Sequence, residues 1–273
     1  MWTFPSGTLG DLTRASHERA ALARPSLPEL RAAARDVPSA PAAADVFAAA
    51  LRGPVIRVIA EVKRASPSKG AINPGIDAAD QAAHYVAGGA AAISVLTEPT
   101  RFGGSLDDLS AVAARVGVPA IRKDFLVDPV QLWEARARGA TAALLIVRAL
   151  SPAELPLMMD AARECGLATL VEIRDERELE RALEVGATVI GVNNRNLETL
   201  VIDPSTAPSL IPRIPTHCVA VAESGMQTAE DILASAVAGA DAILVGSAIS
   251  ASADPTASVR ALTAMPRSIT ARR

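Results

Sequence analysis

Eight apolar, β-branched runs recur along the chain from about residue 55: "VIRVIAEV", "AAISVLTE", "VPAIRKDF", "AALLIVR", "ATLVEIR", "TVIGVNN", "CVAVAES" and "DAILVGS". A polar loop and an amphipathic stretch rich in Ala, Leu, Glu and Arg follow each run, so that the unit repeats about every 20 to 35 residues. The runs are continuous rather than alternating, which implies burial on both faces, as in parallel strands covered by helices. Eight such units with right-handed crossovers close into a cylinder more readily than they spread into an open sheet. The expected fold is α/β, a (β/α)8 TIM barrel over residues 55–265 with an N-terminal helical extension over residues 1–54 and a tail over 266–273.

Local punctuation agrees with that cadence. Gly89-Ala90, Gly139-Ala140, Gly186-Ala187 and Gly239-Ala240 each end a helical stretch, where glycine can adopt the left-handed conformation before the chain enters a strand. Asp77, Ser105, Asp128, Ser151 and Asp175 are expected N-caps, with proline following in "DP" and "SP". The first 54 residues are Pro- and Ala-rich and read as helices around Leu9 to Arg24, Leu27 to Arg35 and Ala44 to Leu51. Their apolar residues are too few to fill a core, so the segment should pack against the barrel.

The chain has 273 residues, a formal charge of -3 and only 3% aromatics, so aliphatic side chains must build the core. An acidic balance provides no global basic field, which argues against a nucleic-acid partner and means that an anionic ligand must be held locally. Charges at Asp11, Arg14, Glu18 and Arg19 exclude a secretory apolar segment there, and no stretch reaches the roughly 18 apolar residues of a membrane helix. A cytoplasmic protein is expected, with Cys165 and Cys218 as buried reduced thiols. The surface pattern carries no interface signal, which leaves a monomer as the expectation.

In a barrel of this kind chemistry belongs at the carboxyl ends of the strands. Glu61 and Lys63, two positions apart, share a strand face. Further polar groups end the later strands: Lys123 and Asp124, Glu172, Asn193 with Asn194 and Arg195, Glu223 and Ser224, and Gly246 with Ser247. A single strand-end ion pair would be an ordinary structural feature, but charged or amide groups at five of the eight ends imply one cavity. Crowding there should separate their pKa values into acid and base roles. Gly225 and Gly246 allow close backbone approach, Ser224 and Ser247 offer hydroxyls, and Ser66 could cap the same anion, which makes the ends of strands 7 and 8 a phosphate cradle. Phe102 lies in the long loop after the second strand, where it would either cover an aromatic substrate or pack the loop.

Other patterns carry nothing. "SPSK" at Ser66 to Lys69 matches S-x-x-K but sits on a Pro/Gly loop with no K-T-G after it. His17, His84 and His217 are scattered without zinc spacing, and no G-x-G-x-x-G follows a strand.

Taken in series, "IAEVKRASPSKG", "SVLTE" with "FGGS", "RKDFLVDP", "LLIV", "LVEI", "IGVNNRNLETL", "VAESGM" and "VGSAI" resemble the indole-3-glycerol phosphate synthase family from residue 55 to 250. The resemblance implies closure of 1-(2-carboxyphenylamino)-1-deoxyribulose 5-phosphate to indole-3-glycerol phosphate with loss of CO2 and water, using no metal and no organic cofactor. It implies Lys123 as general acid, Glu172 as the acid/base carboxylate, and Lys63 with Glu61 as a neighbouring pair holding the substrate carboxylate or sharing proton transfer. Asn193, Arg195, Glu223, Ser224 and Phe102 would contact substrate, and Ser66, Gly225, Gly246 and Ser247 would grip phosphate. The chain departs from the family at Arg101, where a second aromatic beside Phe102 is usual, and loosely in "MWTFPSGTLGDLTRASHERA", which implies a thinner cover over the anthranilate ring. Two alternatives are a barrel isomerase such as phosphoribosylanthranilate isomerase, which would need a cysteine and an aspartate at strand ends, and a catalytically silent phosphate-binding barrel, which would be expected to lack Lys123 or Glu172.

Overall fold

The computed structural model describes residues 2–37, 43–226, 228–267 and 272. Eight strands form a closed parallel barrel in chain order: β1 Arg57–Val62, β2 Ala92–Leu96, β3 Ala120–Lys123, β4 Ala142–Ile146, β5 Ala168–Ile173, β6 Val189–Asn193, β7 Val219–Glu223 and β8 Ala242–Val245, with β8 pairing back on β1. Each of the eight apolar runs supplies one strand. A small antiparallel hairpin, Ala65–Ser66 with Gly70–Ala71, rises from the loop after β1.

Helices α1 Gly7–Ala23, α2 Leu27–Asp36 and α3 Ala43–Ala50 make up the N-terminal extension, within a residue or two of the expected bounds. The outer layer then runs α4 Ala78–Ala87, α5 Leu106–Arg115, α6 Pro129–Ala137, α7 Glu154–Glu164, α8 Glu176–Glu184, α9 Thr206–Leu210, α10 Ala229–Val237, α11 Ser247–Ser250 and α12 Pro255–Leu262. Asp77, Ser105, Asp128 and Asp175 cap their helices through side-chain oxygens, and Gly89, Gly139, Gly186 and Gly239 all take positive φ after them. Ser151 is the exception: α7 begins at Glu154 with Ala153 in the cap position, although the Ser151 hydroxyl still accepts from the Glu154 N–H at 3.3 Å. The pair "SP" starts a turn here rather than the helix itself. Of the 266–273 tail, residues 268–271 and 273 lie outside the described residues.

Two apolar layers explain the continuous runs. Val58, Ala60, Val62, Ile93 and Val95 point outward into the strand–helix layer, while Ile59, Ala92, Ile121, Leu144, Leu170, Val221 and Leu244 fill the barrel interior. Phe47 and Leu51 belong to that interior cluster, together with the strand-start residues Ala142, Ala168, Val189 and Val219, so α3 and the turn after it plug the amino end of the cylinder. Leu9 and Leu12 of α1 join the same cluster beside Phe125, Ile146 and Leu197 at the other end. With one end plugged by apolar side chains, inward-pointing polar groups at the opposite end face the open mouth of the barrel.

Cys165 and Cys218 are buried and unpaired, and burial pushes the Cys165 thiol up to about 12. A thiol that is both inaccessible and protonated is a poor nucleophile. The native protein should therefore leave a chromogenic aromatic disulfide unreacted over minutes, with both thiols appearing on addition of denaturant; fast native labelling of either would contradict this packing.

Candidate active site

Strand parity delivers the polar groups. Because Ile59 points inward, so does Glu61, and the same count carries Lys123 from Ile121, Glu172 from Leu170, Asn193 from Gly191 and Glu223 from Val221. Register aligns them across neighbours: Glu61 lies opposite Ser94, Leu96 opposite Lys123, Ile146 opposite Glu172, and Asn193 opposite Glu223. They form one ring at the carboxyl end of the barrel.

Lys123 is the centre of this ring. Its Nζ lies 3.6 Å from Glu172 Oε2 and 3.9 Å from Glu223 Oε2. Lys63 Nζ pairs with Glu61 Oε1, and the Ser94 hydroxyl donates to Glu61 Oε2 at 3.2 Å. Burial pulls the Lys123 ammonium down, but the carboxylates of Glu172, Glu223 and Glu61 outweigh it and hold the group well above its ordinary value. Burial acts on Glu61 in the opposite sense and is overcome by Lys63 and Lys123, which leave that carboxyl below the usual range. Glu223 is pushed well above it, first by burial and then by Glu172, against the pull of Lys123. Three carboxyls and two amines thus share one low-dielectric space, and the crowding of negative charge falls on Glu223, whose ionised form is the disfavoured one. Glu172 Oε2 and Glu223 Oε1 are buried with no hydrogen-bond donor, so they have capacity left for a ligand.

Two glycines make room for these carboxylates. A Cβ on Gly191 would lie 2.0 Å from Glu223 Oε1, and one on Gly246 would lie 2.5 Å from Glu61 Oε1 and 3.2 Å from Lys63 Nζ. Their role is close approach as much as backbone freedom.

The cavity above the ring encloses about 1090 Å3, its open mouth included. Of the residues expected in a site, Glu61, Lys63, Lys123, Asn193, Arg195, Glu223, Ser224, Phe102, Ser66, Gly225, Gly246 and Ser247 line it. Glu172 lies behind them, reaching the cavity through Lys123 and bordering a second, smaller cavity with Arg148, Glu178 and Glu198. Among the described residues the only non-glycines at positive φ are Leu200 (65°) and Ser224 (61°), and both line the main cavity. Ser224 and Gly225, consecutive at positive φ, curl the backbone after β7 toward Gly246 and Ser247 at the start of α11. Ser66 is nearly buried, its hydroxyl accepting from the Lys69 N–H at 3.2 Å.

Two strand-end groups, Asp124 at the cavity wall and Asn194, are committed to structural bonds. Asp124 accepts from Arg19 Nη2 at 2.7 Å, from the Thr97 hydroxyl at 2.9 Å and from the Phe125 N–H at 2.8 Å, and its carboxylate is used up in tying α1 to β3. Asn194 donates to the Ser224 carbonyl at 3.0 Å and accepts from the Ala207 N–H at 2.8 Å, bracing two loops. Sequence position alone could not separate these from Lys123 and Asn193, because parity turns on the last strand residue.

Several wall residues were not singled out in the sequence. Thr8 and Leu12 come from α1, Lys69 from the hairpin, and Leu197, Leu200 and Ile202 from the loop after β6. Phe125 stands 6.0 Å from Phe102, ring centre to ring centre, so a second aromatic is present although Arg101 is exposed. The "RKDF" motif contained that ring. Glu98 shapes the Phe102 loop: fully buried, it accepts from the N–H groups of Thr100, Arg101 and Phe102 and from the Thr100 hydroxyl. Among the described residues no cluster of His, Cys, Asp and Glu has the arrangement of a metal site, and no helix is long and apolar enough to cross a membrane.

Residues 13–262 match the family model described as indole-3-glycerol phosphate synthase. The chain is 53% identical over 242 residues to "Indole-3-glycerol phosphate synthase 1" of Streptomyces coelicolor, covering 89% of this chain and 88% of that one. It is 54% identical over 217 residues to the indole-3-glycerol phosphate synthase of Rhodococcus jostii, covering 80% of each. Among solved structures, 3-hexulose-6-phosphate synthase from Salmonella typhimurium superposes with a TM-score of 0.62 at 16% identity, covering 76% of this chain and 97% of that one, a likeness of fold.

The surplus charge has a consequence for stability. A carboxyl whose folded pKa lies above its unfolded value removes stability as pH rises from the unfolded pKa through the folded one. Glu223→Gln should therefore raise the melting temperature at pH 8, and the gain should shrink toward zero as pH falls below the ordinary carboxylate range. A variant that melts lower than the parent at pH 8 would show that Glu223 is held ionised.

Proposed function

The chain belongs to the indole-3-glycerol phosphate synthase family, decarboxylating lyases of tryptophan biosynthesis, and on that premise we propose how its residues divide the reaction. Lys123 is the general acid of ring closure. It stays an ammonium because three carboxylates surround it, and it hands its proton to the ketose oxygen as the anilino ring attacks the carbonyl carbon. The alkoxide forming there is more basic than an amine, so a lysine held above its ordinary value still gives up its proton. Until transfer it stabilises the developing charge in a site shielded from water.

Lys63, fixed by Glu61, holds the substrate carboxylate until it leaves as CO2. Glu172 then takes the carbon-bound proton whose removal makes the ring aromatic and passes it to the neutral Lys123 3.6 Å away, while the hydroxyl leaves as water on a proton from Lys63, which solvent replaces. Glu223 hydrogen-bonds a substrate hydroxyl beside Asn193 and Arg195. Ser66, Ser224, Gly225, Gly246 and Ser247 take the phosphate, and Phe102 covers the aromatic ring. The observation that carries this reading is the single ammonium of Lys123 set 3.6 Å and 3.9 Å from two carboxylates, each with an oxygen free of donors.

The isomerase alternative finds no support, since Cys165 and Cys218 are buried away from the cavity. A silent binding barrel would have no use for a lysine held among three carboxylates. The reading extends to a cytoplasmic enzyme acting as a monomer on a soluble phosphorylated substrate, without nucleic acid; a dimer mass in sedimentation would overturn the monomer.

Incubation with the carboxyphenylamino-deoxyribulose phosphate should release a product with indole fluorescence, and folded protein that yields none would refute the assignment. Lys123→Ala should lower kcat by about 10²- to 10⁴-fold with the fold intact, the usual range for a positioned acid. Full activity in that variant would move the acid elsewhere.

A further inference from the structure

The N-terminal segment is fastened to the barrel mouth at one carboxylate. Glu198, in the loop after β6, accepts at Oε1 from the Ser6 N–H at 2.7 Å, from the Ser6 hydroxyl at 2.9 Å and from Arg148 Nη2 at 3.0 Å. Its carbonyl accepts from the Thr8 N–H at 3.2 Å. Arg148, after β4, extends the contact by donating Nη1 to the Thr3 carbonyl at 2.7 Å, while its own carbonyl accepts from the Trp2 indole at 3.3 Å. Packing here is tight: a Cβ on Gly7 would lie 2.2 Å from the Glu198 carbonyl oxygen. Burial disfavours the charge on Glu198, but the Ser6 and Arg148 donors outweigh it and hold the carboxyl below its ordinary range.

Both partners of this contact carry cavity wall. α1 contributes Thr8 and Leu12, and the β6 loop contributes Arg195, Leu197, Leu200 and Ile202. The loop's own bonds set its shape: the Asn196 N–H donates to the Val201 carbonyl at 2.8 Å, the Leu200 N–H to the Asn196 carbonyl at 2.7 Å, and Arg195 Nη1 to the Leu200 carbonyl at 2.8 Å. Those bonds are internal, so they cannot fix where the tip of the loop stands against the barrel. Glu198 reaches out of the tip to both Ser6, at the cap of α1, and Arg148, in the turn after β4.

We propose that Glu198 is a positioning residue for substrate binding, its carboxylate latching the N-terminal segment and Arg148 onto the β6 loop and so fixing Arg195 and Leu197 on the cavity wall. The proposal rests on the reading of that cavity as the substrate site. Lys123 and Glu172 stand on strands whose placement does not depend on the latch. Opening it should therefore weaken binding and leave the chemical step nearly intact.

Steady-state kinetics on Glu198→Ala, Glu198→Gln, Arg148→Met and the Glu198→Ala/Arg148→Met double variant test this. Glu198→Ala should raise KM about tenfold with kcat within about twofold, and Glu198→Gln should fall between, since it still accepts a hydrogen bond without the charge. The double variant should be no worse than the poorer single one, because both changes break one contact. Emission from Trp2, isolated by Trp133→Phe, should shift to longer wavelength when the latch opens. A parental KM in the folded single variants, a loss confined to kcat, or fully additive effects would overturn the proposal. No turnover in the parent chain would instead overturn the reading of the reaction.

Discussion

One buried ammonium among three carboxyls is the constraint around which this barrel is arranged. Taking charges out of water is expensive, and a lone buried Lys123 would lose its proton rather than its hydration. The ring at the carboxyl end prevents that by setting Glu172, Glu223 and Glu61 close enough for attraction to exceed the burial penalty. The crowding acts unevenly, since the two lysines hold Glu61 below its ordinary range while burial and Glu172 push Glu223 well above it. A compact set of groups is thereby spread over a range of proton affinities, which acid–base chemistry on a single substrate requires.

The rest of the fold supplies the conditions for that ring. Parallel strands place one inward side chain per strand at each level, and α3 with Leu51 seals the amino end so that the low dielectric is kept from below. Gly191 and Gly246 leave the space that the carboxylates of Glu223 and Glu61 fill. A methyl group at either position would push an anion off the ring, so these glycines belong to the electrostatics as much as to the packing.

Much of this was legible in the sequence because it follows from local rules. The eight strands came from apolar continuity, the helix ends from Gly-Ala pairs and Asx or Ser caps, and the chemical groups from their places at strand ends. Ser151 misled because its hydroxyl caps a turn just ahead of α7, and a cap is recognised in sequence only by type and spacing. The bracing work of Asp124 and Asn194 was hidden because it depends on Arg19, Thr97 and Ala207, which lie elsewhere in the chain. The aliphatic wall from Leu12, Leu197 and Leu200 was illegible for the same reason: nothing in an isolated leucine tells which loop it will cover.

Partners separate the carboxylates that build this protein from those suited to act in it. Glu98 receives four donors from its own loop, Asp124 is tied to Arg19, Thr97 and the Phe125 amide, and Glu198 collects Ser6 and Arg148. Each is consumed by holding backbone or helix in place, and a group so committed has little capacity left for a passing substrate. Glu172 and Glu223 are buried as deeply as Glu98 and Asp124, yet each keeps an oxygen without a hydrogen bond beside a lysine 3.6 to 3.9 Å away. Such a shortfall costs stability, and for these two carboxyls it falls beside the cavities at the carboxyl end of the barrel. The contrast lies in the bonding of the side chains rather than in their burial or charge, which is why a carboxylate at a strand end identifies a site only once its partners are known.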